Sequence, residues 1–418
     1  MKNKIITFTI LVFVFCSTLF AVQKKDKVAI KGLRPMSIGG AFNAISDDEN
    51  AFFYNPAGIT QREGYLVQIM SLDAALNSDT ISAISALSDL ISRGVPEKDK
   101  IIDNFKRVAS SKLSAFASAP NILFITSPIS VEENYLSFGL GFLGCVDGNA
   151  EIKPIYIPSL NAKATDIQIL SAAFKISSLD AVKMPGSLSL GTNLKRMGTI
   201  AIENTMTYGK EKNKLNVLQG KSFGIDIGTI YHLNPLWNFG LSVTDIYNTG
   251  MNYKELDKPY GKLFAKTLVG IPHISSHGLK NCRKEKINPE VNIGASWYPK
   301  EFYYWPDKYL DTDDRLALAL DLTDLTNLVN HDESFFGTFF KNLHMGVEYK
   351  YNPFVIRAGY NSGYPTIGFG LVSNSVQLEY AFYGEEQGVR LNSDPMYFHR
   401  VKLSVKLGNN KGKRYGKS

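Results

Sequence analysis

From about residue 120 onward the chain alternates between large apolar side chains and small or charged ones, and this period of two restricts its fold more than any other feature. Successive side chains of a strand point to opposite faces, so such alternation marks strands that divide two different environments. Leu316, Leu318, Leu320 and Leu322 alternate with Ala317, Ala319, Asp321 and Thr323, and Val401, Leu403, Val405 and Leu407 with Arg400, Lys402, Ser404 and Lys406. Leu188, Leu190 and Leu194 oppose Ser189, Gly191, Asn193 and Lys195; Leu136, Phe138, Leu140 and Phe142 oppose Ser137, Gly139 and Gly141. One face is consistently lipid-like. The pattern therefore predicts an all-β fold, a transmembrane antiparallel β-barrel, whose strands alternate apolar outside and polar inside.

Fourteen strands are expected, over 64–72, 120–129, 134–146, 166–177, 186–197, 220–232, 236–247, 288–298, 314–324, 341–351, 353–361, 365–373, 375–384 and 396–407. The even count is what a bacterial barrel with both ends on one side requires. Long connections at 73–119, 147–165, 198–219, 248–287, 325–340, 362–364 and 385–395 mostly alternate with short turns at 130–133, 233–235, Asn352 and Asn374; 299–313 is longer than its place predicts. Within 73–119, Ile81, Ile84, Leu87, Leu90 and Ile91 share one helical face after the capping candidates Ser78 and Asp79. Gly94 closes that helix, and Pro96 opens a second with Ile101, Ile102, Phe105 and Val108. These helices either cap a barrel mouth or pack on one another.

The chain starts MKNK, then runs apolar from Ile5 to Phe20 and reaches Ala21, the pattern of a secretory signal over 1–21. A retained anchor is the alternative, and Cys16 raises that of a lipoprotein, against which bulky Phe15 counts. No later stretch offers about 18 consecutive apolar residues, so no helical span follows. Aromatics at 12%, with 21 Tyr and 34 Gly, suit strands, girdles and crowded lumens. Cys145 and Cys282 are read as unpaired thiols. The net charge of +7 includes the basic tail of 408–418, read as a solvated terminus; no cluster of nucleic-acid-binding type occurs in the body of the chain.

Between signal and strands lies RPMSIGGAFNAISDDENAFFYNPAG, Arg34 to Gly58. Gly39 and Gly40 allow a turn or close backbone approach, Asp47, Asp48 and Asn50 can bond their own backbone, and Asn55-Pro56-Ala57-Gly58 ends it in a rigid turn. This stretch resembles the N-terminal region of FadL-type outer-membrane long-chain fatty-acid transporters and their spirochaete and PorV-like members. Weaker echoes follow at 187–195, 224–235 and 344–371. The resemblance implies a hatch over 22–63, with Arg34, Gly39, Gly40, Asp47, Asp48, Asn55, Pro56, Ala57 and Gly58 as its motif. It implies that the hatch is folded inside a barrel over 64–407, and that the barrel carries helical extracellular loops in the outer membrane. Passive uptake of long-chain fatty acids or similar hydrophobic solutes is the implied function. The superfamily also contains secretion-linked scaffolds, so a non-transporting role in secretion or surface attachment stays open. Outer-membrane lipid, a hydrophobic solute and the barrel-assembly machinery are the implied partners. The last strand ends LSVKL without the terminal aromatic of many such barrels.

By parity Lys195, Asp226, Asp321, Glu348, Arg357, Glu379, Arg400 and Lys402 point away from the apolar face, four acids against four bases. On the lipid side each base would cost about 2–4 kcal/mol at the midplane; inside, they can pair. The alternative places them on the wet face of a soluble β-sandwich. Gly139, Gly141 and Gly144 are candidates for a kink in the wall, with lumen packing as the competing role. No phosphate loop, nucleophile elbow, H-E-x-x-H or C-x-x-C occurs, so neither an enzyme nor a bound cofactor is expected. His273, His277 and Cys282 lack a fourth metal ligand, and Asp47, Asp48 and Glu49 lack EF-hand spacing and read as a solvated turn.

Overall fold

The computed structural model describes residues 31–62, 64–92, 112–151, 159–205, 214–246, 249–255, 284–299, 315–328, 335–373, 375–388 and 390–408. The signal, the second loop helix, Cys282 with its two histidines, and all but the first residue of the tail lie outside them. Fourteen strands form one closed antiparallel barrel: β1 (Leu66–Asn77), β2 (Lys112–Ile125, resumed at Ile129–Val131), β3 (Asn134–Glu151), β4 (Ser159–Ile176), β5 (Ser187–Thr205), β6 (Lys214–Asn234) and β7 (Trp237–Thr244 with Gly250–Glu255). Then follow β8 (Lys284–Lys286 with Glu290–Trp297), β9 (Arg315–Leu322), β10 (Leu343–Tyr351), β11 (Phe354–Asn361), β12 (Tyr364–Val372), β13 (Val376–Glu386) and β14 (Pro395–Gly408). Each strand pairs with its neighbours in sequence, and β1 closes the ring on β14 from Leu66 opposite Gly408 to Asn77 opposite Phe398. Closure leaves no edge strand among the described residues, the condition for spanning a bilayer with sheet.

The outward face carries the alternating apolar residues. Phe138, Leu140, Phe142, Leu190, Leu194, Leu320, Val401 and Leu407 are all exposed, whereas their sequence neighbours Ser137, Ser189, Asn193, Asp321, Arg400 and Lys402 are buried. Exposed leucine beside buried lysine is the reverse of a water-soluble protein and is the order a lipid-facing wall requires. Aromatic clusters sit on this face near both ends. Trp237 stacks on Phe239 and Trp297 at the end with short turns, called inner here, and Phe382 stacks on Tyr397 beside Tyr380 and His399 at the outer end.

Several strands run further toward the outer end than the sequence predicts. Residues 73–77 and 112–119, read as loop, pair with each other, and β3 and β4 stay paired out to Glu151 opposite Ser159. The apolar alternation fades there because small and polar side chains replace the large apolar ones, but backbone pairing does not depend on that alternation. Helix α3 (Ser78–Ser92) occupies the first outer loop. Its cap is Asn77, whose Oδ1 accepts from the Thr80 amide at 3.0 Å, rather than Ser78 or Asp79. It faces the barrel with Ala83 and Ala86 and leaves Ile81 and Ile84 exposed, opposite to the expected face, because small side chains allow the helix to lie close against β2.

The wall is irregular at one level. β1 shifts register between Gln68 and Met70, and β2 between Ser118 and Asn121, beside Pro120, which has no amide to donate. Between these strands the ladder lapses over 69–72 and 119–122 and resumes on both sides. The Gln68 side-chain amide donates to the Asn121 carbonyl at 3.1 Å, replacing a ladder bond.

Candidate functional site

Residues 31–62 form the site, because they are almost wholly buried although they belong to no strand. They begin at the outer end, where Lys31 reaches Glu385 near the last residue of β13 at 3.3 Å, and finish at the inner end beside the first residue of β1. On the way they touch inward-facing residues of strands all round the ring. Helix α1 (Leu33–Ser37) packs with Leu33 and Met36 against Ala75, Ala381, Tyr383 and Phe398. Gly39 and Gly40 adopt φ values of 70° and 84°, which favour glycine, and a Cβ on Gly39 would strike the Met345 and Tyr360 carbonyls. Helix α2 (Ala51–Tyr54) and the 3-10 helix Pro56–Gln61 complete the segment.

Asn55 is its central tie. Its Oδ1 accepts from the Ala57 amide at 3.2 Å, capping the 3-10 helix, while its Nδ2 donates to Asn43 Oδ1 at 3.0 Å and to the Thr229 carbonyl of β6 at 3.1 Å. Pro56 takes the first helical position, where its missing amide costs nothing. The wall makes room by omitting side chains: a Cβ on Gly228 would overlap the Asn55 amide, on Gly191 the Pro56 backbone, on Gly240 the Asn43 backbone, and on Gly346 or Gly359 the Ile38 backbone. This series of inward glycines was not singled out from sequence, although its sign was visible in glycines recurring at inward parity. Gly139 and Gly141 belong with it: a Cβ on Gly139 would lie 2.6 Å from the Phe52 ring, and one on Gly141 2.9 Å from Leu123. β3 pairs with β4 without a register shift from Tyr135 to Glu151. The wall irregularity falls instead in β1 and β2, where Gly144 faces the Ala119 carbonyl.

The charges read as inward are buried and partnered. Arg34 binds Glu348 through two hydrogen bonds of 2.7 and 2.8 Å and also meets Asp47 and Asp48. Arg357 joins Glu348 to Glu379, each at 2.7 Å. Arg400 forks onto Asp73 at 2.7 and 2.6 Å, and Lys402 and Lys406 converge on Glu49 Oε1 at 2.9 and 2.7 Å. Lys195 pairs with Asp226 at 2.7 Å and Asp245 at 3.0 Å. Asp321 stands apart from the ion pairs: its Oδ2 accepts the Phe42 and Asn43 amides, both at 2.7 Å. Asp47, Asp48 and Glu49 are thus no solvated turn. Burial alone would raise the Glu49 carboxyl, but the two lysines hold it well below the usual carboxylate range. Burial pushes Asp48 up, and the charge of Glu49 adds to this against the pull of Arg34. Asp73 and Asp245 were missed in sequence, Lys406 was placed on the polar side of its strand but not among the inward charges, and Glu49 was read as part of a solvated turn. Asp73 stood just past the expected strand end, and no spacing indicates which residues will face each other across an enclosed space.

The ion pairs that hold the segment fall on β10 and β14, with those of Arg357 and Arg400 beside them on β11, β13, β14 and β1, while Lys195, Asp226 and Asp245 form a separate group at β5 to β7. On β2 to β7, Leu123, Leu143, Ile167, Ile169, Met197, Ala201, Met251 and Tyr253 form one buried apolar cluster with Phe52 and Ile59 of the segment, among inward polar residues such as Ser137, Ser171, Ser189 and Asn193. The interior is therefore two-faced, one side bound to the segment by charge and the other by apolar packing and neutral hydrogen bonds.

No family model and no curated protein matches the chain. Among solved structures it is similar to the Pseudomonas putida toluene transporter TodX, with 10% identity over 94% of this chain and 99% of that one and a TM-score of 0.48. It is also similar to the Ralstonia pickettii toluene transporter TbuX (10% identity, 92% and 99%, 0.47) and to a Pseudomonas aeruginosa FadL homologue (13%, 91% and 98%, 0.44). At these scores the likenesses carry no argument, and the closed barrel is read from this chain's own strand pairing.

Proposed function

We propose that the chain is an outer-membrane barrel for the passive inward passage of a hydrophobic solute, with long-chain fatty acids as the substrate class to test first. Residues 31–62 act as a hatch. The observation that carries this reading is the apolar cluster on one side of the interior, which begins at Phe52 and continues over Leu143, Ile167, Met197 and Met251 toward the outer end. An enclosed apolar surface in an interior otherwise lined by polar and charged groups provides a route that favours apolar over charged solutes. Passage down a gradient needs no chemistry, so no catalytic residue or cofactor is assigned. The lapse between β1 and β2 provides the weakest part of the wall for lateral exit. A second reading, a closed scaffold for secretion or surface attachment, is favoured by the ion pairs that fix the segment to the wall.

Uptake of labelled oleate into proteoliposomes separates the two. Uptake above that of an unrelated barrel, increased by combined Asn55→Ala and Pro56→Ala substitutions, supports the transporter; uptake no greater than the control, with and without the substitutions, leaves the scaffold. A disulfide between Ile69→Cys and Ile122→Cys, which face each other across the lapsed ladder, tests the exit: it should slow uptake, and reduction should restore it.

A further inference from the structure

Helix α4 (Phe335–Asn342, sequence FFGTFFKN) leads directly into β10 at the outer end. Phe335, Phe336, Phe339 and Phe340 fall on one stripe of it, since residues one helical turn apart share a face. Phe335, Phe336 and Phe340 are 58%, 71% and 43% exposed, and adjacent rings touch at centroid distances of 5.6–6.4 Å. The remaining face is committed to the barrel: Thr338 is buried, Lys341 Nζ donates to the Gly388 carbonyl at 2.9 Å, and the Asn342 carbonyl accepts from the Thr323 amide at 2.9 Å. The helix cannot turn its phenylalanines inward without breaking these contacts.

We propose that α4 is an anchor in the outer leaflet, its phenylalanine stripe seated among acyl chains just below the headgroups. The occupant is lipid because the stripe continues the lipid-facing band. Met345, outward on the strand that α4 enters, is exposed, as is Leu320 beside it on β9. The outer aromatic cluster of Tyr380, Phe382, Tyr397 and His399 lies toward the same end of the wall, three and four strands along the ring on β13 and β14. A stripe of apolar rings over a polar face is the pattern of a helix lying in a membrane interface. The inference rests on the membrane-spanning reading of the barrel, though not on what it transports.

Phe336→Trp and Phe340→Trp, each checked for heat-modifiable migration, would be placed in vesicles whose lipids carry bromine near the headgroup or deep in the chains. The difference emission against wild type should be blue-shifted, quenched most by the shallow bromines, and shielded from iodide. Quenching by iodide but not by brominated lipid would overturn the anchor. So would a blue shift seen only after a hydrophobic solute is added, which would make the stripe a capture site. Wild-type emission, to which Trp237 and Trp297 contribute, tests the barrel separately. If brominated lipid leaves it unchanged, the membrane reading itself fails.

Discussion

The two halves of the interior hold the same segment by different physics. On β10 to β14 and β1, Arg34 meets Glu348 and Glu49 meets Lys402 and Lys406 in buried ion pairs, with Asp47 and Asp48 on Arg34 within the segment and Arg357 and Arg400 paired within the wall beside them. On β2 to β7 the segment relies on Asn55, on Phe52 seated over Gly139, and on the Asn193 amide donating to the Phe52 carbonyl at 2.8 Å. A buried ion pair is costly to break on one side, because the surviving charge has no water to turn to. Neutral contacts and apolar surfaces separate at less expense. In the hatch we propose, the ionic side is therefore the fixed one and the side held by Asn55 and Phe52 the one able to yield.

Substitutions can test this asymmetry. The largest effect is expected from Glu348→Ala, which leaves Arg34 and Arg357 buried without their shared carboxylate; loss of about 3–5 kcal/mol should appear as a lower urea midpoint for loss of heat-modifiable migration. An effect no larger than that of a surface substitution would remove the ionic side as the anchor. Asn55→Ala, on the neutral side, should cost about 1–3 kcal/mol and expose the segment to trypsin at Arg62 while the barrel stays assembled. Gly39→Ala should loosen the segment to a comparable degree through strain and collision with the Met345 carbonyl, again about 1–3 kcal/mol. Met197→Lys introduces a charge into the apolar half and should reduce uptake while leaving trypsin resistance near wild type; equal uptake would move the route elsewhere.

The smallest effect concerns pH. The folded Glu49 carboxyl is held below its ordinary value of 4.5, so its contribution is complete above that pH and is lost as pH falls through the depressed value. Trypsin resistance, measured after brief acid exposure and return to neutral pH, should decline on that acid limb. The decline should be weaker in Glu49→Gln, which lacks the titrating group. An identical acid limb in the two proteins would assign it to other carboxylates.

The strands could be read from sequence because lipid imposes the same demand at every second residue. All fourteen appear near their expected places, and Leu316 to Leu322 and Val401 to Leu407 alternate as written. Where that demand ends, the reading ends too, and 112–119, rich in alanine and serine, and the polar 147–151 continue as strand with no large apolar alternation to reveal them. Parity separates inside from outside, which is why Lys195 and Glu348 could be placed inward. It does not say that Lys195 meets Asp245 or that Arg34 meets Glu348, since those meetings depend on the ring's circumference and the path of the segment. The paired irregularities at Ile69 and Pro120 were equally illegible: a bulge changes which residues oppose each other and leaves composition untouched.

The pairing of Glu49 with Lys402 and Lys406 joins the beginning of the chain to its end. The segment leaves the ribosome well before the last strand, yet two of its charge partners arrive only with β14, the strand that also closes the ring on β1. Enclosure of the segment and closure of the cylinder are therefore one event. A chain truncated before β14 lacks both a finished wall and the lysines that Glu49 awaits, so a half-made molecule has no means of sealing itself prematurely.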